Sequence, residues 1–182
     1  VKKLCERCIL LEAGSVKMID SCENVINYYY DAKESVLFKI ASALTNNKQL
    51  YFKSVLVSNE NNIGKFVFNC SEDIFINVEI GINQYFEKTS LFILVLDNIG
   101  NRVFSMETKI VENKYKYTAK IKKSFLAKGD YKLDLYIHIP LTKRFDTLSE
   151  VCSFKVFDDG SEFSIHKEFN HGVVFGNYKW LN

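Results

Sequence analysis

Proline is almost absent from this sequence, which has one in 182 residues, and glycine is modest at eight. Their scarcity excludes collagen-like and low-complexity sequences. The excess of one charge sign is equally small, because 24 Lys and Arg residues against 22 Asp and Glu residues leave a net +2. So small an excess gives no electrostatic basis for nucleic-acid binding. No apolar run reaches the roughly 20 residues that cross a bilayer.

Motifs for catalysis and metal binding are missing as well. The sequence has no glycine-rich phosphate loop, dinucleotide fingerprint, zinc-protease motif or serine-hydrolase elbow. Cys5 and Cys8 have the spacing of half a zinc site, but no second pair follows, and a structural zinc needs four ligands. We therefore expect no catalytic residue, no metal and no cofactor here. Five cysteines at irregular spacing favour free thiols in a reducing compartment.

Aromatic residues, by contrast, are abundant, with 15 Phe, 10 Tyr and 1 Trp. Aromatic and β-branched residues favour pleated, half-buried surfaces, which points to an all-β fold. From residue 50 onward the apolar residues alternate with polar ones, as in strands with one buried face. The clearest buried sets are Ile74, Ile76, Val78, Ile80 and Ile82, then Tyr131, Leu133, Leu135, Ile137 and Ile139. We predict a two-sheet, immunoglobulin-like β-sandwich over residues 50–182.

Three details refine this sandwich. The segment Ser90–Leu96 is apolar on both faces, so we expect it to be covered on both sides. Asp97–Asn101 reads as the hairpin loop that follows it. Tyr131 lies where an immunoglobulin-like domain has a tyrosine corner, although an ordinary core tyrosine fits the position equally well.

The first fifty residues read differently. Residues 8–12 and 15–19 predict two strands joined by a turn at Ala13-Gly14, and residues 23–30 predict a short helix. This hairpin and helix are too small to bury a core alone. Residues 31–49 predict a helical linker, because five apolar residues share one helical face: Val36, Leu37, Ile40, Ala41 and Leu44.

Residues 1–30 resemble the end of an ABC transporter nucleotide-binding domain. The matching residues are Leu4-Cys5-Glu6-Arg7, Ile9-Leu10-Leu11, Gly14, Val25-Ile26 and Tyr28 to Tyr30. The resemblance implies that the ATP- and Mg-binding motifs belong to an upstream domain, so we expect no ATP binding or hydrolysis by this chain. The absence of an initiator Met leads to the same expectation, that the chain is a piece of a longer protein.

Residues 50–182 resemble the C-terminal domain of the Wzt family, the ATPase subunits of ABC exporters for O-antigen polysaccharide. The ordered matches are Leu96 to Phe104, Leu126 to Leu133, Phe154-Lys155-Val156, and Gly172-Val173 to Trp180. The resemblance implies a carbohydrate-binding sandwich that recognises the modified non-reducing end of the exported glycan. It further implies a cytoplasmic protein held at the bacterial inner membrane through the transporter's membrane subunit.

The resemblance also implies a homodimer that exchanges its C-terminal strand. The aromatic residues of that tail, Phe175, Tyr178 and Trp180, would then be buried on the partner subunit. A purely structural alternative remains open, in which the domain dimerises the ATPase or docks another protein and binds no sugar.

A sugar site needs an exposed aromatic ring beside convergent polar groups. Asp134, Tyr136 and His138 offer that pattern on one strand, since Leu133, Leu135 and Ile137 face the other way. Ser153 and Lys155 are predicted on the outward face of the neighbouring strand. Each of these five residues also fits an ordinary solvated strand position, and the outer face around Phe75, Asn77 and Glu79 is the alternative location. Loss of Asp134 or Tyr136 is expected to weaken glycan binding and to leave the melting temperature nearly unchanged.

Overall fold

The fold is described from a computed structural model of the chain. The structure describes residues 5–21, 25, 36–40, 47–166, 172–176 and 180–181. The chain forms two compact units, Val1–Glu34 and Ser35–Asn182. Among the described residues, no helix is long and apolar enough to cross a membrane.

The first unit contains the predicted hairpin. Strand β1 (Arg7–Glu12) pairs antiparallel with β2 (Ser15–Ser21). Ala13 and Gly14 form the two-residue loop with φ angles of 49° and 81°, the left-handed conformation that a tight hairpin requires. The predicted helix over residues 23–30 lies outside the described residues, apart from Val25.

The cysteine prediction is wrong at one residue. Cys8, in the hairpin, is disulfide-bonded, whereas Cys5, Cys70 and Cys152 are free thiols, as expected.

In its described residues, the second unit consists of strands and a 3₁₀ turn over Ser164–His166. Its strands are β3 (Leu37–Lys39), β4 (Leu50–Ser58), β5 (Val67–Asn69), β6 (Ile74–Ile82), β7 (Ser90–Asp97), β8 (Arg102–Lys109), β9 (Lys116–Ile121), β10 (Gly129–Ile139) and β11 (Lys143–Phe157). They form a four-stranded sheet in the order β3-β4-β6-β9 and a five-stranded sheet in the order β5-β11-β10-β7-β8. The all-β, immunoglobulin-like sandwich is therefore confirmed.

The helical linker is wrong. Leu37–Lys39 form strand β3, which pairs antiparallel with residues 54–56 of β4. The apolar spacing around these residues fits a helix, but Val, Leu, Phe and Ile in succession also suit a strand, and a partner strand far along the chain decides between them. Residues 41–46 of the predicted helix lie outside the described residues.

The core lies between the two sheets, where the inward residues of both meet. Its largest fully buried side chains include Phe52, Ile76 and Ile80 from the four-stranded sheet and Tyr131, Leu133, Leu135, Ile137 and Phe154 from the five-stranded sheet. Burying each such side chain stabilises the fold by about 1.5–3 kcal/mol. The sheet faces turned away from this core carry the outward side chains of the strands.

One buried carboxylate ties the sheets together at an end of the sandwich. Asp146, in β11, accepts a hydrogen bond from the backbone N–H of Phe52 at 3.0 Å. It also forms an ion pair with Lys48, whose Nζ lies 2.7 Å away. The Phe52 amide is available because the β4–β6 register shifts between Phe52 and Ser54. Asp146 therefore supplies the acceptor that this irregular strand lacks, and its role is structural.

The tyrosine corner is also present. The buried Tyr131 hydroxyl lies 2.7 Å from the carbonyl oxygen of Ala127 and 2.8 Å from that of Val173. Burial, followed by the charges of Asp130 and Asp97, raises the pKa of Tyr131 well above its usual range, so the hydroxyl stays protonated and donates. The corner thus connects the start of β10 to the C-terminal tail.

The tail segment 172–176 runs antiparallel to residues 125–127 of the same chain. Ala127 N–H donates to Val173 O at 3.1 Å, and Phe175 N–H donates to Phe125 O at 2.9 Å. The Phe175 ring stacks on Phe163, with ring centroids 6.0 Å apart. The tail therefore supplies both backbone pairing and aromatic packing.

Candidate functional site

The outer face of the five-stranded sheet carries an aromatic and polar surface. Side chains alternate along β10 as predicted: Leu133, Leu135 and Ile137 are buried, and the residues between them point outward and are half-buried. We call "the platform" the group of outward side chains at the centre of this face: Phe92, Glu107, Asp134, Tyr136, His138 and Arg144. They come from β7, β8, β10 and β11, so four neighbouring strands build it.

The doubly apolar strand β7 forms the middle of this face. Leu91, Ile93 and Val95 point into the core. Leu94 and Leu96 point outward, yet each is only 7% exposed. The expectation that both faces of this strand are covered is therefore confirmed for the leucines, and Phe92 remains the half-exposed apolar residue of the strand.

Asp134 organises the platform through two hydrogen bonds. Its Oδ1 accepts the backbone N–H of Glu150 at 2.7 Å, and its Oδ2 accepts the Tyr136 hydroxyl at 3.0 Å. The first bond is needed because the β10–β11 register shifts between Leu133 and Leu135, and Glu150 adopts a left-handed φ of 47° in the resulting bulge. Both oxygens of Asp134 are thus engaged in holding the bulge and the tyrosine.

Tyr136 contacts two other side chains. The Arg144 guanidinium lies 4.4 Å from the Tyr136 ring centroid, and the Phe92 ring lies 6.0 Å away at a tilt of 44°. Burial raises the pKa of Tyr136, and the hydrogen bond to Asp134 raises it further, while the positive charges of Arg144 and Arg102 oppose the shift. Arg144, rather than open solvent, therefore meets this face of the Tyr136 ring.

His138 completes the aromatic group. Its ring meets Phe92 edge-on at 5.8 Å. Its Nε2 lies 3.4 Å from Glu107 Oε1, close enough for an ion pair when the imidazole is protonated, but the geometry does not make a hydrogen bond. His138 Nε2 is buried and is the one such side-chain atom without a hydrogen-bond partner in the described part of the chain.

Ser153 and Lys155 lie on the same sheet but outside the platform. β10 and β11 pair as expected, and Ser153 lies opposite Lys132 while Lys155 lies opposite Asp130. Four residues along a strand separate Lys132 from Tyr136, about 13 Å at 3.3 Å per residue. The structure therefore brings Asp134, Tyr136 and His138 together, leaves Ser153 about two residues along the strand from Asp134, or about 7 Å, and leaves Lys155 at the other end of the strand.

Three platform residues were missed from sequence: Phe92, Glu107 and Arg144. Phe92 could have been identified from the sequence, because side chains alternate along a strand and Phe92 lies between Leu91 and Ile93, which face the core. Glu107 and Arg144 could not, because their positions opposite Phe92 and His138 follow from the pairing of β7 with β8 and of β10 with β11.

A second polar cluster lies around Cys70, outside the platform. The Cys70 thiol donates to Asp159 at 3.0 Å, and the Ser71 hydroxyl donates to the same carboxylate. Asp158 accepts the amide and hydroxyl of Ser161 at 2.8 and 2.6 Å. Among the described residues, no group of three or more His, Cys, Asp or Glu side chains is placed to hold a metal ion.

The three tail residues proposed for dimer exchange differ in what the structure describes. Phe175 is half-buried and packs against the core of its own chain. Trp180 is 82% exposed, and Tyr178 lies outside the described residues. Exchange between subunits stays a prediction.

No protein-family model and no curated protein matches this sequence. Among solved structures, the crystal structure of the C-terminal domain of wzt is similar, with a TM-score of 0.55 and 10% identity over 75% of this chain and 85% of that one. A Bifidobacterium dentium beta-glucuronidase complexed with coumarin-3-O-glucuronide has a TM-score of 0.43 and 15% identity over 60% of this chain and 18% of that one, too low to support an argument. The predicted resemblance to the Wzt C-terminal domain is confirmed at the level of the fold.

Proposed function

We propose that this chain is a carbohydrate-binding domain that recognises an exported bacterial polysaccharide on the platform. The observation that carries the proposal is the juxtaposition of Phe92, Tyr136 and His138 with charged groups on one half-exposed sheet face. Aromatic and apolar surface with a few placed polar groups is the usual character of a small-ligand site. The fold of the Wzt C-terminal domain, a component of polysaccharide export, is consistent with this role.

The finer parts of the proposal follow from the same resemblance. The glycan is an O-antigen recognised near its modified non-reducing end, and the domain couples that recognition to an inner-membrane ABC transporter. The chain itself is not an enzyme and takes no cofactor, because ATP and Mg belong to an upstream domain. It works as a homodimer on the cytoplasmic side of the membrane.

A structural module that dimerises or docks the ATPase is the second candidate. Exposed apolar side chains near the C-terminus favour it, since Trp180 and Leu181 are 82% and 86% exposed. The two candidates differ in one measurable respect, which is whether the chain binds sugar.

The test is binding of the chain to O-polysaccharide purified from the strain that encodes it, measured by calorimetry against an unrelated polysaccharide. Tyr136→Ala is expected to weaken binding, and Phe75→Ala is the matched control, because Phe75 points outward from β6 on the other sheet. Binding that survives Tyr136→Ala and is lost in Phe75→Ala would move the site to the other face. Absence of binding to the cognate polysaccharide would favour the structural module.

A further inference from the structure

Some of the positively charged side chains on the outer face of the five-stranded sheet form ion pairs and others do not. Lys132 Nζ lies 2.7 Å from Glu150, and Lys155 Nζ lies 3.4 Å from Asp130. Arg102 and Arg144 differ, because within the described ranges neither guanidinium has a hydrogen bond or a carboxylate within ion-pair distance. Two arginines on this face thus retain their full capacity to donate hydrogen bonds.

The nearest acidic side chain on β10 does not neutralise Arg144. Asp134 already accepts the Glu150 amide and the Tyr136 hydroxyl. Glu107, the other platform carboxylate, lies beside His138. Among the described residues, neither platform carboxylate lies within ion-pair distance of the Arg144 guanidinium, so Arg144 keeps an unneutralised charge.

Arg144 is also held in place. Its guanidinium stacks over the Tyr136 ring at 4.4 Å, and Tyr136 is fixed by its hydrogen bond to Asp134. A planar guanidinium on an aromatic ring loses little further freedom when it binds, and its fork of N–H donors matches two oxygens of a carboxylate or phosphate. Such an arrangement differs from a solvated arginine, whose side chain must be ordered by the ligand.

We infer that the platform accepts a sugar that bears an oxyanion, a uronate carboxylate or a phosphate substituent, with Arg144 as its main ligand and Arg102 as a second cation on the same face. This inference rests on the proposed function and adds to it the chemical class of the glycan. A neutral sugar would leave both guanidinium groups without a counter-charge. An acidic one replaces the water around Arg144 with charge-assisted hydrogen bonds.

The test is an NMR titration of the chain, followed through the Arg144 and Arg102 Nε–H signals. The probes are glucose, glucuronate, glucose 6-phosphate and inorganic phosphate at millimolar concentration and matched ionic strength. We expect one or both acidic sugars to shift the Arg144 signal saturably and glucose to shift it much less. Comparison of the glucuronate and glucose 6-phosphate titrations shows whether the site prefers a carboxylate or a phosphate.

Variants sharpen the result. Arg144→Gln is expected to weaken the acidic sugar at least about tenfold, as expected for loss of hydrogen bonds to a charged group. Lys132→Gln is the matched control on the same face, since Lys132 is already paired with Glu150. Equal loss in both variants would indicate general surface charge and would overturn the inference.

The outcomes separate the inference from the proposed function. Glucose binding as tightly as the acidic sugars would overturn the oxyanion preference and leave sugar binding intact. Inorganic phosphate binding as tightly as glucose 6-phosphate would keep the anion site and count against sugar recognition there. No saturable shift at Arg144 with any probe would overturn the inference.

Discussion

The Asp134 carboxylate accepts the backbone N–H of Glu150 at 2.7 Å, across a bulge in which Glu150 has a φ of 47°. A residue that sequence alone suggested for sugar binding thus holds a neighbouring strand in shape. Its other oxygen holds the Tyr136 hydroxyl. The bulge and the central aromatic residue of the platform therefore depend on one side chain.

These hydrogen bonds change the expectation for Asp134→Ala, which was to leave stability nearly unchanged. The variant leaves the Glu150 amide without its acceptor, and a hydrogen bond to a charged group contributes about 1.5–3 kcal/mol. We expect a decrease of that order in the free energy of unfolding, measured by urea denaturation. Asp134→Asn keeps an acceptor oxygen and should lose less. Ser153→Ala is the control and should stay within about 0.5 kcal/mol of the parent; an equal loss there would contradict this role for Asp134.

Tyr131→Phe tests the link between the tyrosine corner and the tail. Without the hydroxyl, the carbonyl oxygens of Ala127 and Val173 lose their shared donor, at a cost of about 1–2 kcal/mol. We expect faster hydrogen exchange at the Phe175 amide. Tyr117→Phe is the matched control, because that hydroxyl accepts the Val111 amide at 2.9 Å and has no hydrogen bond to the tail. Unchanged exchange at Phe175 in Tyr131→Phe would show that the corner does not secure the tail.

Deletion of residues 172–182 tests the predicted exchange of the C-terminal strand. The deletion removes the Phe175 and Val173 backbone pairing as well as Trp180. Burial of one of these large aromatics on a partner subunit, as the exchange predicts, would make its loss cost about 3–5 kcal/mol. In light scattering we expect a dimer for the parent and a monomer or aggregate for the deletion variant. A soluble, folded dimer after this deletion would place the interface elsewhere.

Cys70 makes stability depend on alkaline pH. Burial, and then the hydrogen bond to Asp159, raise the pKa of the Cys70 thiol from 9.0 to about 11. A folded-state pKa above the unfolded one means that stability is fully present below pH 9 and is lost as the pH rises from 9 to 11. The urea midpoint should fall over this range, and the fall should be smaller in Cys70→Ser. An identical pH dependence in that variant would assign the loss to other groups.

The three free thiols, Cys5, Cys70 and Cys152, should differ in their reactivity toward alkylating reagents at pH 8. Cys5 is exposed, whereas Cys70 and Cys152 are buried, and burial raises the pKa of Cys152 to about 12. Because the thiolate is the nucleophile, iodoacetamide should label Cys5 first, as mass spectrometry of the peptides would reveal. Labelling of Cys70 or Cys152 at the rate of Cys5 in the folded protein would contradict their burial.

Much of the sandwich was determined by the sequence itself, because side chains alternate along a strand. Leu133, Leu135 and Ile137 could be assigned to the core, and Asp134, Tyr136 and His138 to the outer face, without knowing which strands lie beside them. The Ala13-Gly14 turn was likewise local information.

Only the tertiary structure decided which residues become neighbours. Strand pairing places Phe92 and Arg144 against Tyr136, and the irregular register of β11 directs the Glu150 amide toward Asp134. Residues 37–39 form a strand because β4 supplies their partners, with Leu37 opposite Leu56, Phe38 opposite Val55 and Lys39 opposite Ser54. The alternation of side chains shows which face of a strand is buried. The contacts that build a site depend on the pairing of strands distant in sequence, and a local sequence pattern does not predict that pairing.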